Sequence, residues 1–552
     1  MIARATGAVS RLLPHRADYA ELPRSWRRDI LAGVTVGVVA LPLALAFGIS
    51  SGVGAAAGLI TAVVAGLVAA VFGGSHVQVS GPTGAMAVVL APIVAQHGIG
   101  SIALVTVLAG LVVVAAGVTG LGRAVTFIPW PVIEGFTLGI AAIIFLQQVP
   151  AAFGTTAPAG ARTLPAAWAV ATHADWPAAW RPLAVVGFVA LLMIALPRLH
   201  RAIPESLTAV VAATVIVAAF GVPVAHIGAL PSHLPAPVMP HADLGALRTL
   251  VGAALAIAAL AAIESLLSAR VAATMSPTGP YDPDRELVGQ GLASVASGVF
   301  GGMPATGAIA RTAVNVRSGA RTRVSAIVHS LLLLGVVYLA TGPVSAIPLS
   351  ALAGVLMVTS FRMISAGTVR KILRSTRSDA VTFVLTALVT VCFDLIEAVE
   401  IGIVFAAFFA LRTVARRSSV VREELPGPPQ PGDDRIALLR LDGAMFFGAA
   451  ERISKAIAGD HDPHGAEVSV VIIRMSQIGM LDATGAHTLA ELAEELESRG
   501  ITVIIKGVQP EHLTLLANMG IVEALRHENH LIDSLDEAIA HARSHVNPAL
   551  HP

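Results

Sequence analysis

The sequence predicts a polytopic α-helical membrane protein of fourteen transmembrane segments, arranged as two inverted repeats of seven, followed by a small α/β domain. Three observations predict it. Hydrophobic residues make up 55% of the 552 positions and charged residues 13%, with a mean hydropathy of +0.77, a balance foreign to soluble domains of this length. Two of the apolar runs are broken by Gly and Pro, and they occupy the third and tenth places, the same position in each set of seven. Composition changes sharply after PGPPQPGD (426–433), where strand-like and helix-like runs begin to alternate.

Crossing the hydrocarbon core takes about 20 apolar residues per helix. Runs that meet or approach this length fall at 30–51, 54–73, 76–95, 102–121, 127–149, 182–197 and 203–221. The second set is 249–269, 285–301, 304–316, 324–342, 347–361, 380–394 and 396–413. An even count returns the chain to its starting side, and the arginines agree with that. Arg24, Arg27, Arg28, Arg123, Arg198, Arg201, Arg270, Arg285, Arg317, Arg321, Arg323, Arg362, Arg370, Arg374, Arg377, Arg412, Arg416 and Arg417 fall, with Lys371, on one face, leaving chiefly Arg162, Arg181 and Arg248 on the other. The positive-inside pattern then places both termini in the cytoplasm. The expected divisions are a cytoplasmic lead-in at 1–28 without the apolar core of a signal peptide, a membrane domain at 29–414, a linker at 415–433, the α/β domain at 434–545 and a tail at 546–552.

Interrupted backbone at membrane depth leaves amides that lipid cannot satisfy, so each break must face protein or a water-filled site. A helix starting there aims its bare amides and positive dipole end at that site, which suits an anion. In the first break, His76 to Ser80 reads as extended and Gly81-Pro82-Thr83 as a helix start; in the second, Gly301 to Pro304 is extended and Thr306-Gly307-Ala308 the start. Thr83, Gly84 and Ala85 then face Gly307, Ala308 and Ile309, through backbone amides and the Thr83 hydroxyl, or serve only to let helices pack closely. Glu264, an ionisable group inside the eighth span, is the candidate proton-coupling residue; the alternative is a fixed ion pair with Arg311 or Arg270. Ser265 and Ser268 support it from the same helix. Arg311 lies one turn past Gly307 and either lends charge to the site or belongs with Arg317 to a basic edge. Pro42 is a candidate kink in the first span, and Asp394, Glu397 and Glu400 read as a solvated turn.

A single cysteine, Cys392, excludes a disulfide framework and a thiolate metal cluster. No Walker loop, zinc spacing or Ser/His/Asp arrangement is present, which speaks against an enzyme and an ATP-driven pump and leaves no cofactor or metal expected.

Several long motifs, taken in order, resemble the sulfate permeases (SulP), the bacterial relatives of solute carrier family 26. They are DILAGVTVGVVALPLALAFG (29–48), VSGPTGAMAVV (79–89), AAIESLLSARVA (261–272), RELVGQGLASVASGVFGG (285–302), TGAIARTAVNVRSGARTRVSAIVH (306–329), LDGAMFFGAAE (441–451) and MLDATGAHTL (480–489). The resemblance implies a core domain (spans 1–4 and 8–11) and a gate domain (5–7 and 12–14), an anion held between helices 3 and 10, a homodimer, and a cytoplasmic STAS domain at the C-terminus. Where sodium-coupled bicarbonate members place an aspartate and a threonine, this chain has Glu264 and Ile309. Isoleucine gives no oxygen to a hard cation, so the expectation is proton coupling. The STAS stretch Asp482-Ala483-Thr484-Gly485 leaves Thr484 as the one stand-in for a phosphoacceptor.

The resulting expectation is a secondary active anion transporter of the bacterial inner membrane. It would carry sulfate or a C4-dicarboxylate with protons by an elevator movement, with bicarbonate as an alternative cargo. A nucleobase-type transporter and a membrane sensor working through a protein partner of the STAS domain are further alternatives; nucleic acid is not an expected partner.

Overall fold

The computed structural model describes residues 12–123, 129–157, 162–200, 203–241, 244–392, 419–445, 468–525 and 530–547. It divides into two compact units, Met1–Ala406 and Ala407–Pro552.

In the first unit the apolar runs fold as helices because lipid leaves no other way to satisfy their backbones. The first repeat contains α1 (Leu22–Ser50), α2 (Ala55–Phe72), the short strand β1 (Ser80–Gly81), α3 (Gly84–His97), α4 (Ser101–Val118), α5 (Trp130–Gln147), α6 (Trp176–Leu199) and α7 (Glu205–Phe220). The second contains α8 (Leu244–Met275), α9 (Pro283–Val299), β2 (Thr306–Gly307), α10 (Ile309–Arg317), α11 (Val324–Leu339), α12 (Leu349–Met363) and α13 (Arg377–Cys392). The expected fourteenth span, and with it Asp394, Glu397 and Glu400, lies outside the described residues.

Packing carries the repeat symmetry. Helix α1 packs on α11 as α8 packs on α4; α2 packs on α11 as α9 packs on α4; α1 meets α10 as α8 meets α3. These helices form one bundle, centred on the α2–α9 contact. A second bundle joins α5 to α13 and, in the symmetric relation, α12 to α6. The two bundles correspond to the core and gate divisions.

Three boundaries differ from expectation. Helix α1 begins at Leu22, so residues 22–28 of the expected lead-in are its first two turns; charged side chains there hid a helix whose apolar part begins later. Asp18, just before it, is 7% exposed and ion-paired with Arg285 (2.6 Å) and Arg323 (3.6 Å). Burial raises its carboxyl, but the Arg285 hydrogen bond, the His15 amide and the two positive charges outweigh that and hold it at about 2. Second, α3 begins after Pro82, with Thr83 as its N-cap, and α10 begins at Ile309, with Ala308 as its cap. Thr306 and Gly307 are therefore strand, not helix, because they pair with β1 across the break. Third, part of the expected linker is a strand, β3 (Ser419–Glu423).

The second unit is a five-stranded sheet in the order β3, β4 (Ile436–Met445), β5 (Val470–Leu481), β6 (Thr502–Lys506), β7 (Leu531–Ile532), with β3 antiparallel and the rest parallel. Its strands alternate between two apolar faces. Ala437, Leu439, Val471 and Ile473 pack with Leu489, Leu492 and Leu496 of α14 (Ala483–Ser498) and Leu516 of α15 (Pro510–Asn518). Ile436, Leu438, Val470 and Ile472 pack with Ala538, Ile539 and Ala542 of α16 (Leu535–Val546). Covering both faces is what a largely parallel sheet requires.

Candidate functional site

Strands β1 and β2 are only two residues each, but they bring the two broken spans together. They pair antiparallel, Ser80 opposite Gly307 and Gly81 opposite Thr306. Each strand leads directly into a helix that starts at this crossing, α3 capped by Thr83 and α10 by Ala308. The first amides of either helix have no acceptor within it, so two partial positive charges meet at one place.

The broken backbone is satisfied by side chains, those of the second repeat at the first break and those of both repeats at the second. Around the first break, the Gly74 and Ser75 amides donate to Glu286 Oε2 (2.8 and 3.1 Å), and the Val79 amide to Thr312 Oγ1 (3.0 Å). Asn315 donates to Val77 O (2.8 Å) and Arg311 Nη2 to Pro82 O (2.5 Å). Around the second, the Met303 amide donates to Thr61 Oγ1 (2.8 Å), and Ser297 Oγ to Met303 O (2.7 Å). The Gly307 amide donates to Ser265 Oγ (3.1 Å), while Ser268 Oγ lies 3.2 Å from Thr312 Oγ1. Ser265 and Ser268, both fully buried, thus fasten β2 and α10 to α8.

Glu264 projects from α8 to the same crossing. Its Oε2 accepts from Thr83 Oγ1 (2.9 Å) and from Thr306 Oγ1 (2.7 Å), and the two hydroxyls are themselves 3.0 Å apart. Glu264 as a residue is half-buried, and both threonines are buried. Among the described ion pairs none joins Glu264 to Arg311 or Arg270 at contact distance, while Arg311 acts on the carboxylate through its charge from farther off. Arg311 is 2% exposed, so it is not part of a basic edge with Arg317. Its Nη2 is held by Pro82, and its Nη1 is buried without a hydrogen-bond partner. Both amide-group atoms of the Gln78 side chain are equally buried and unpartnered.

The remaining candidates are spread in character. Gly84 sits where a Cβ would strike Ile144 of α5 and approach Phe47 of α1 (3.2 Å), and at Gly307 one would collide with the Gln78 amide nitrogen. Ala85 is buried in the first turn of α3, whereas Ile309, the first residue of α10, is 43% exposed. Helix α1 runs through the buried Pro42 without a break. In the second unit Thr484 is exposed in the first turn of α14, next to Asp482, whose Oδ1 caps the helix by accepting from the Gly485 amide (2.7 Å).

Sequence reasoning missed Thr306 as a carboxylate partner, Gln78, and the buried Glu286. A signal existed for Glu286, an acidic residue within the first turn of an apolar span. For Thr306 the signal was blurred by placing it inside the helix.

The sulfate permease family profile matches residues 26–386, and the STAS domain profile residues 428–538. The chain is 33% identical to "Putative sulfate transporter YvdB" of Bacillus subtilis (strain 168) over 93% of its length and 97% of the relative's. It is 31% identical to "Bicarbonate transporter BicA" of Synechocystis sp., over 95% and 96%. Among solved structures, the transmembrane domain of a cyanobacterium bicarbonate transporter BicA aligns with a TM-score of 0.62 at 34% identity, covering 68% of this chain and 98% of that one. The structure of SLC26A9 aligns with a TM-score of 0.82 over 99% and 95%; at 18% identity the likeness is one of fold.

Proposed function

The chain belongs to the sulfate permease family, a family of membrane transporters with a STAS domain, and on that premise we propose that it is a proton-coupled anion transporter of the bacterial inner membrane. The single observation that carries the reading is the β1–β2 pairing, which sets two helix N-termini and one carboxylate at one point inside the membrane unit. The anion sits between the starts of α3 and α10, held by the amides of Gly84, Ala85, Ile309 and neighbours. Gly307 and Ala308 shape the backbone, and Arg311 adds positive charge from behind.

Glu264 carries the proton. The triangle of Thr83 Oγ1, Thr306 Oγ1 and Glu264 Oε2 has three edges of hydrogen-bond length, yet two hydroxyls supply only two protons. A third proton on the carboxyl completes the ring, and it also removes the negative charge that opposes an incoming anion. Charge neutralisation thus links proton and anion at the same place. Sodium fits less well, since the position that would need a ligand oxygen is the aliphatic Ile309.

Sulfate or a C4-dicarboxylate is the proposed cargo, with bicarbonate as the second reading because of the relatives named for it. Movement of the core bundle against the gate bundle, as an elevator, would carry the site across the membrane. Both termini are proposed to be cytoplasmic, the protein to be a homodimer, and the STAS unit to bind a regulatory partner, with Thr484 its candidate modification site. The test is uptake of labelled sulfate, succinate and bicarbonate into proteoliposomes under separately imposed proton and sodium gradients. Stimulation by the proton gradient alone supports the reading; uptake that needs sodium and ignores protons overturns it.

A further inference from the structure

His541 and His545 lie four residues apart on α16, so their rings stand one turn apart on one face. His530, in the segment entering β7, brings a third ring against them. The ring centroids are 5.3 Å (His530–His541), 5.4 Å (His530–His545) and 4.9 Å (His541–His545) apart. One donor nitrogen from each ring lies within 4.8 Å of the other two. The Nε2 atoms of His541 and His545 are 3.4 Å apart. That is long for a hydrogen bond to a nitrogen, but two imidazoles at about 2.0–2.1 Å from a tetrahedral zinc stand roughly 3.4 Å from each other. The pair already has the metal-ligand separation.

Burial is graded across the cluster: His530 is buried, His541 half-buried and His545 exposed. One side therefore rests on the sheet and the other opens to solvent, giving an ion an entry path and leaving a coordination position for water. Three imidazoles form a donor set for zinc, copper or nickel and a poor one for magnesium or calcium.

From this geometry we infer that the STAS unit carries a transition-metal site of the zinc class, formed by His530, His541 and His545. Neither the transport site nor the family profile requires it. A bound ion ties the segment entering β7 to the C-terminal helix, and so stabilises the edge of the sheet.

The experiment uses the full-length protein in detergent, with any histidine tag removed and metal stripped by chelator, titrated with zinc against a chromophoric chelator. About one zinc per chain is expected. Losing an outer-shell partner of a metal costs about 10–100-fold in affinity, so losing two direct ligands in His541→Ala/His545→Ala should weaken binding by more than about 100-fold. Cobalt(II) gives the visible absorption of a tetrahedral nitrogen-ligated ion in the unaltered protein and not in the double variant. His545→Ala alone, at an exposed position, provides a second variant whose fold is not in question, and anion uptake should be unchanged in both. Binding of much less than one zinc per chain, or equal affinity in the variants, overturns the inference.

Discussion

The two repeats share a scaffold but not a chemistry. In the first, α2 (AAAGLITAVVAGLVAAVF) and α3 (GAMAVVLAPIVAQH) are almost wholly apolar. Their counterparts α9 (PDRELVGQGLASVASGV) and α10 (IARTAVNVR) bury Arg285, Glu286, Gln290, Ser294, Ser297, Arg311, Thr312 and Asn315. The first repeat presents a broken backbone; the second supplies most of the side chains that satisfy it. The geometry of two opposed helix starts is thus shared by the repeats, while most of the charged and hydrogen-bonding side chains around them lie in the second. The capping differs in the same sense, since Thr83 offers a hydroxyl to α3 and Ala308 offers none to α10.

Substitutions that strike one repeat or the other sharpen this contrast. The largest effect on transport is expected from Gly307→Val, because the new side chain collides with Gln78 and lies 3.1 Å from Ser268 Cβ. Overpacking there costs roughly 1–3 kcal/mol and separates β2 from β1, so uptake falls to background and the melting temperature drops. At Gly84, the first residue of α3 in the first repeat, Gly84→Ala meets the flexible end of Ile144. The loss there is smaller and is recovered when combined with Ile144→Val.

Next comes Arg311→Ala, which removes the buried charge and its bond to Pro82. A charge-assisted hydrogen bond contributes about 1.5–3 kcal/mol, so anion affinity should fall about 10–150-fold by that measure. Arg311→Lys recovers part of it as a point charge without the planar fork. Initial-rate measurements across anion concentration separate the two variants.

A smaller loss is expected from Thr306→Val, which takes one donor from Glu264 at roughly 1–2 kcal/mol. Thr83→Val removes the equivalent donor and the α3 cap together, and should cost somewhat more. Equal and negligible losses in both would contradict a working role for the hydroxyl triangle.

Smallest for transport is Asp18→Asn, which acts on the ionic network of the second repeat from outside the membrane. Breaking one partner of a buried pair costs roughly 3 kcal/mol of stability. The wild-type carboxyl is depressed from 3.8 to about 2, so its contribution is full above pH 4 or so and is lost as pH falls toward about 2. Thermal melts across that range should show the steep acid loss in wild type and its absence in Asp18→Asn.

Much of the fold was legible because bilayer thickness and Gly-Pro interruptions are local signals. Glu264 and Arg311 stood out for the same reason, as charges in apolar surroundings. What stayed hidden depends on contacts between residues far apart in the chain: Thr83 and Thr306 converge on Glu264 only after the two breaks cross, and Asp18 meets Arg285 from 267 residues away. The start of α10 was misplaced because Thr306-Gly307 has the composition of a helix entry, and only pairing with Ser80-Gly81 makes it a strand. β3 was hidden by the proline-rich stretch that follows it.

The most direct measurement of the central claim compares gradient-driven uptake with exchange in Glu264→Gln, whose amide fixes the site in a neutral state. With labelled anion on one side and unlabelled on the other, exchange needs no proton movement, whereas concentrative uptake under an inward proton gradient does. The account predicts that wild type performs both and that Glu264→Gln keeps exchange but no longer concentrates the anion. If Glu264→Gln still accumulates anion in response to the proton gradient, the carboxylate at the meeting of the two half-helices is not the coupling group.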